Sequence, residues 1–478
     1  MLDKLEKAVK LGEQLETGVF VEARYDDLLL RTLQRINNNW KDVNVRSRAG
    51  VGITCYYEGA SGYAYTASTE FKDIENAVKS AFKLAKASVP AVSLKLEFDS
   101  LPPIKSNSSD RPASLIKIHP NSEGLDYKID LVNRVVENAS EYGKNINTVR
   151  GLYGELFGEK VFTNSDGSII NWEFEIIDLV GAVTSKTDDG SLVNGYGYVG
   201  GTRGLEMYNT KGKTPEDLGK KAGVDAKEQL EAKPCPAGKF RGMVDSNLAG
   251  VLAHESFGHL TEADYIVTNG SPLSGKIGER LGSDHVTIID SGTPDIKKFG
   301  GLWVPYDDQG MKGGDTIIME KGLLKHFLHS RGTANKTHQS PTGNCRALHF
   351  GFIPIPRMTN TYFEPGDLSE EEALEQLGTG VYALESFGGQ VELNGFFVFI
   401  AGRGYWVENG EKKYPLREVS LTGNILDLLL RIEGATSALE LHAGYFGGCG
   451  KSGQAPLPVG DGGPNLVLSE VIFGGKAQ

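Results

Sequence analysis

Two imidazoles and a carboxylate share one short segment, His254-Glu255-Ser256-Phe257-Gly258-His259. A lone thiol lies far downstream in Gly447-Gly448-Cys449-Gly450-Lys451. Imidazole and thiolate are ligands that zinc favours, and three protein ligands leave a fourth position open for water. An open position is what a catalytic metal requires. The residue types therefore point to a metal-dependent hydrolase, with a peptidase as the working reading.

The spacing constrains the local backbone. The common zinc-peptidase pattern has histidines at i and i+4 on one helix face. Here the second histidine is at i+5, about 140° from the first on an ideal helix. Two routes bring the rings together. One extra residue in the turn, a π-bulge, puts i and i+5 on one face. Alternatively the helix ends at Gly258 in a left-handed cap and the chain turns back with His259. Both require distortion between residues 254 and 259. Upstream, Asp245, Ser246 and Asn247 are all competent N-caps. Leu248, Val251 and Leu252 then recur at helical spacing, and Glu255 continues the same face.

The surrounding chain must supply a frame for that segment. Its 478 residues suffice for two or three domains. The 61 glycines suit turn-rich β structure more than helical bundles. Residues 1–17 read as a helix, followed by a strand meander to about 67 that includes Val19–Tyr25 and Val51–Tyr57. A helix over 70–88 follows from the spacing of Ile74, Ala77, Val78, Ala81, Phe82 and Ala85. Residues 100–122, rich in proline and serine, read as a linker or long loop. A helix near 125–142, alternating strands to about 200 and a helix over 215–231 complete the first half. Pro234-Cys235-Pro236 marks the boundary. The expectation is an α+β fold of two domains. Residues 1–233 form a sheet with flanking helices, and residues 234–478 form a strand-rich domain carrying the metal-site helix. Short helices are expected at 246–258, 369–376 and 424–432.

Composition narrows the partners. Lys+Arg of 50 against Asp+Glu of 62 gives a net charge of −12, which disfavours non-specific nucleic-acid binding. No run of about 18 apolar residues is present, so no helical membrane span is expected. The charged, amphipathic start Met1-Leu2-Asp3-Lys4-Leu5-Glu6 is not a secretory signal, and a cytoplasmic location is the expectation. Cys55, Cys235, Cys345 and Cys449 form no tight pairs, which argues against a disulfide framework. The His326/His329 pair follows an expected strand at 322–325, where i and i+3 face opposite sides, and reads as incidental.

The stretch Leu252 to Asp264 resembles the signature of the TldD/PmbA family of metallopeptidases, with H-E-x-x-x-H followed by an acidic pair. Family-like stretches follow in order: Tyr306-Asp307-Asp308-Gln309-Gly310, then Pro356 to Tyr362, then Gly388-Gly389-Gln390-Val391. Cys449 to Gln454 and Pro458-Val459-Gly460 come last, and Thr163 to Gly167 is similar in the first half. The retained histidines, glutamate and cysteine resemble the metal-binding, TldD-like type. The resemblance implies His254, His259 and Cys449 as zinc ligands and Glu255 as general base. Metal-activated water would attack the carbonyl of short or unfolded peptides. Glu262 or Asp264 could accept a hydrogen bond from a ligand histidine and fix its tautomer. Arg357, Asn360 and Tyr362 would either contact substrate or brace the sheet. Family membership further implies a dimer, either of identical chains or with a PmbA-like chain. The alternative is a binding or scaffold protein in which the metal only clips the tail to the helix.

Overall fold

The computed structural model describes residues 1–92, 95, 101–106, 115–392 and 394–474. Strands β1 (Phe20–Ile36), β2 (Asn39–Tyr57), β3 (Ala60–Thr66), β4 (Ile146–Asn164), β5 (Ile169–Lys186) and β6 (Leu192–Gly201) form one antiparallel sheet. Its order is β3-β2-β1-β4-β5-β6. Alternation sets its buried face: Val21 and Ala23 on β1 and Val51, Ile53 and Cys55 on β2 are all buried. Helices α1 (Leu2–Glu13) and α2 (Phe71–Ser88) pack on the β1–β3 end of that face. Helices α3 (Leu125–Tyr142) and α4 (Pro215–Gln229) pack on β4 and β5 through Val136, Ala139, Ala222 and Ala226. The helices fall where the apolar spacing places them. The loop expected over 100–122 lies partly outside the described residues. Its described parts include a bridge of Lys105 to Ile169 and a single turn at Pro120–Ser122.

Beyond residue 234 two sheets share a core. Gly380–Val391 pairs in parallel with Gly238–Val244 and antiparallel with Phe396–Glu408. Ser420–Asn424 and Leu466–Gly474 complete the ring, so five strands close on themselves as a barrel. Closure leaves these strands no free edge along their paired lengths. Phe397, Phe399, Leu421 and Phe473 are buried in the core, packed with Leu248, Leu252 and Phe257 of the metal-site segment. The second sheet runs Leu323–Leu324, Asp315–Glu320, Ile288–Ser291, Asn360–Phe363, Gly460–Gly463, Glu440–Ala443. The helices Glu370–Leu377 and Ile425–Leu430 match expectation. Those at Ala263–Val267, Ile296–Phe299 and Arg331–Thr337 are too short to leave a readable periodicity.

The first sheet meets the later strands through buried polar contacts. Lys160 Nζ pairs with Asp308 Oδ1 at 2.7 Å. Phe446 N–H donates to Asp178 Oδ2 at 2.9 Å. The family-like segment Tyr306 to Gly310 thus serves this junction.

Candidate metal centre

Helix α5 (Ser246–Ala253) starts at Asp245, whose carboxylate accepts from Leu248 N–H at 2.9 Å. Leu248, Leu252 and Phe257 anchor it in the core. A π-helical turn then spans His254–Gly258, and His259 retains right-handed helical dihedrals, φ −65 and ψ −39. The extra residue is thus absorbed by a π-turn, and the left-handed cap at Gly258 is not used. Gly258 serves another purpose: a Cβ there would collide with Met358 Sδ. The turn frees carbonyls from the regular ladder, and the Thr261 hydroxyl donates to the Phe257 and Gly258 oxygens.

The π-turn brings the two imidazoles together, with ring centroids 5.1 Å apart and planes at 89°. Cys449 arrives on the strand Cys449–Lys451, which pairs with Gln454–Leu457. Ser452 and Gly453, both at positive φ, make the two-residue turn between them, the geometry of a tight hairpin. Cys449 Sγ lies 3.2 Å from His259 Nε2. One ligand atom from each of His254, His259 and Cys449 lies within 4.8 Å of the others.

The donor chemistry fits a divalent metal. Burial alone would raise the Cys449 thiol. Hydrogen bonds with His254 and His259 outweigh it and bring the pKa down to about 5, favouring the thiolate a metal requires. Burial would lower His259, but its contacts with Cys449 and Glu262 raise it to about 10. His254 is buried, and its Nδ1 has no hydrogen-bond partner among the described residues.

Behind the ligands lies a buried ionic network. Glu262 Oε2 meets His259 Nδ1 at 3.0 Å, leaving Nε2 for a metal. Burial would raise Glu262, but the hydrogen bond with His259 and the Lys451 ammonium hold it below the usual carboxylate range. Lys451 Nζ lies 3.0 Å from Glu262 Oε2 and 2.7 Å from Asp264 Oδ1. Asp264 therefore holds Lys451 rather than a ligand histidine. Lys451 was not expected as a site residue. Its signal was its position two residues after Cys449, on the same face of a strand.

Arg357 and Asn360 are fully buried. Arg357 Nη2 donates to the Cys449 carbonyl at 3.0 Å, bracing the third ligand. Asn360 Nδ2 donates to the carbonyls of Ser291 and Leu302 at 2.6 and 2.8 Å. Tyr362 is half-buried on the same strand. The Arg357 and Asn360 side chains are thus tied to neighbouring backbone. His329 is buried, with Thr333 Oγ1 and Gln339 Oε1 at 3.2 and 2.8 Å from its ring nitrogens.

Next to the centre lies a cavity of 1310 Å³, lined by Val251, Asn247, His442, Gly447 and Asp461 on one side and by Tyr196 and Tyr198 of β6 on the other. Asn247, Val251 and Glu255 are four residues apart, so one stripe of the helix leads from the cavity toward Glu255.

These features meet in a candidate metal centre of two imidazoles and one thiol. Family models match the chain over residues 21–85 (PmbA/TldA metallopeptidase domain 1), 118–230 (central domain) and 237–475 (C-terminal domain). The chain belongs to the PmbA/TldD metallopeptidase family. A metalloprotease of Methanocaldococcus jannaschii is 34% identical over 464 residues, covering 97% of each chain. A zinc metalloprotease TldD homolog of Saccharolobus solfataricus is 35% identical over 247 residues, covering 52% of this chain and 54% of its own. The crystal structure of TldE from Thermococcus kodakarensis superposes with a TM-score of 0.77 at 18% identity, covering 99% of this chain and 100% of its own. That last likeness concerns the fold. Among the described residues, no helix is long and apolar enough to cross a membrane.

Proposed function

We propose that the chain is a zinc-dependent peptidase acting on short or unfolded peptides. The ligands are His254, His259 and Cys449, and Glu255 is the general base. The observation that carries this reading is the convergence of two imidazoles and a low-pKa thiol within 4.8 Å. A divalent cation held there supplies Lewis acidity and makes a nearby water more acidic. Glu255 takes a proton from the attacking water and delivers it to the leaving amine. Glu262 keeps His259 in one tautomer, and Arg357 and Lys451 hold the two ligand segments in register. The cavity between β6 and Glu440–Ala443 has room for an extended chain, which backbone hydrogen bonds at strand edges can hold with little sequence choice.

The scaffold alternative needs ligands but no base, and a structural zinc has four protein ligands. Among the described residues the cluster has three, which favours catalysis. For a dimer, of identical chains or with a PmbA-like chain, the outer barrel face offers an apolar surface. Phe396, Val398 and Ile400 are 46%, 38% and 48% exposed there. Metal content and peptide hydrolysis measured on wild type and Glu255→Gln test the reading. Loss of hydrolysis with metal retained supports it, and hydrolysis by the variant overturns the base assignment.

A further inference from the structure

Asp461 is an acid beside the metal centre that the reading above does not use. It lies in the strand Gly460–Gly463, with Asn360–Phe363 on one side and Glu440–Ala443 on the other. Its carboxylate rests against α5: a Cβ on Gly250 would be 2.7 Å from Asp461 Oδ1. Gly250 is one helical turn before His254, so the absence of a side chain there admits the carboxylate beside the ligands.

Three other acids nearby, Asp245, Glu385 and Glu262, have partners. Asp245 accepts from Leu248 and Glu385 N–H groups at 2.9 and 2.8 Å. Glu385 pairs with Lys221 at 2.5 Å, and Glu262 with Lys451. The Asp461 carboxylate has no hydrogen-bond or ion-pair partner among the described residues, although it lines the cavity. The groups facing it are His254, His442, Glu255 and Cys449. His442 is directly opposite in the strand pair, but its Nε2 faces Ser246 Oγ at 3.4 Å. A half-buried carboxylate that faces a cavity without a partner is a ready receptor for a cationic group.

We infer that Asp461 is a specificity-determining residue that receives a positively charged nitrogen of the substrate, next to the bond being cut. Placement next to a scissile bond rests on the peptidase reading, whereas the charge recognition rests on the cavity alone. The nitrogen is either the peptide's α-ammonium or a lysine or arginine side chain. In both cases the interaction is a charge-assisted hydrogen bond.

The test is binding to Glu255→Gln protein, which removes the neighbouring carboxylate as a competing anion and prevents turnover. Four unstructured peptides differ only in lysine or norleucine at one internal position and in a free or acetylated N-terminus. Their Kd values are measured by calorimetry on the metal-loaded protein. The expected result is binding about tenfold tighter, or more, for a cationic peptide than for its neutral counterpart. The ratio should fall close to one on adding Asp461→Asn, or Asp461→Ser if the first folds poorly. Loss of the preference on acetylation assigns the α-ammonium, and its persistence assigns the side chain. A ratio near one in the Glu255→Gln parent, or a ratio unchanged by the Asp461 variants, overturns the inference. Hydrolysis of the same peptides by wild type is read separately. Charge-selective binding without cleavage keeps the role of Asp461 and removes the peptidase reading.

Discussion

His259 and Glu262 meet at 3.0 Å, Nδ1 to Oε2, three residues apart where the helix leaves its π-turn. One contact fixes a ring tautomer, buries a carboxylate and ties the helix to Lys451 on the cysteine hairpin. Glu262→Gln keeps the shape but loses the charge. Metal affinity should then fall about 10- to 100-fold, as read by competition with a chromophoric chelator. Affinity equal to wild type would show that the contact serves only the fold.

Gly258→Ala tests the packing of the π-turn. The added methyl meets Met358 Sδ, and Met358 is fully buried. Overpacking of this kind costs about 1–3 kcal/mol. Thermal unfolding should show a lower midpoint, partly restored by Met358→Ala in the double variant. An unchanged midpoint would mean the segment repacks freely.

Stability should fall as pH rises through neutrality. Burial pushes Asp178 up to about 7, against N–H donors from Phe446 and Tyr445. Glu22 and Asp307 are likewise raised to about 7 by burial. An unfolded carboxyl titrates near about 4. Between the two values the folded state binds more protons. The stabilising contribution is therefore complete below about 4 and lost as pH rises through 7, at up to about 1.4 kcal/mol per pH unit for each group. Asp178→Asn should flatten the fall in thermal midpoint between pH 5 and 8. A slope equal to wild type would contradict the raised pKa.

Much of the centre was legible in residue types and spacing. An i+5 histidine pair cannot share a metal on a regular helix, so distortion was required, but the spacing alone did not choose between π-turn and cap. Helices such as Phe71–Ser88 were legible because their apolar spacing is local. The barrel closure was not, because it depends on Gly380–Val391 pairing with strands both long before and just after it. Lys451 and Asp461 were missed for the same reason. Asp461 lies outside the family-like stretches, Lys451 inside one, and each gains meaning only from the strand that carries it to the helix. Arg357 was visible as part of a family-like segment, but a polar residue in a strand does not show whether it faces water or core.

The most direct test of the central claim is metal content together with hydrolysis of an unstructured peptide mixture, on wild type and Glu255→Gln in parallel. The account predicts about one zinc per chain in both proteins, with the rate at least about 100-fold lower in the variant. Equal hydrolysis by the two proteins, or no bound metal after reloading, would contradict it.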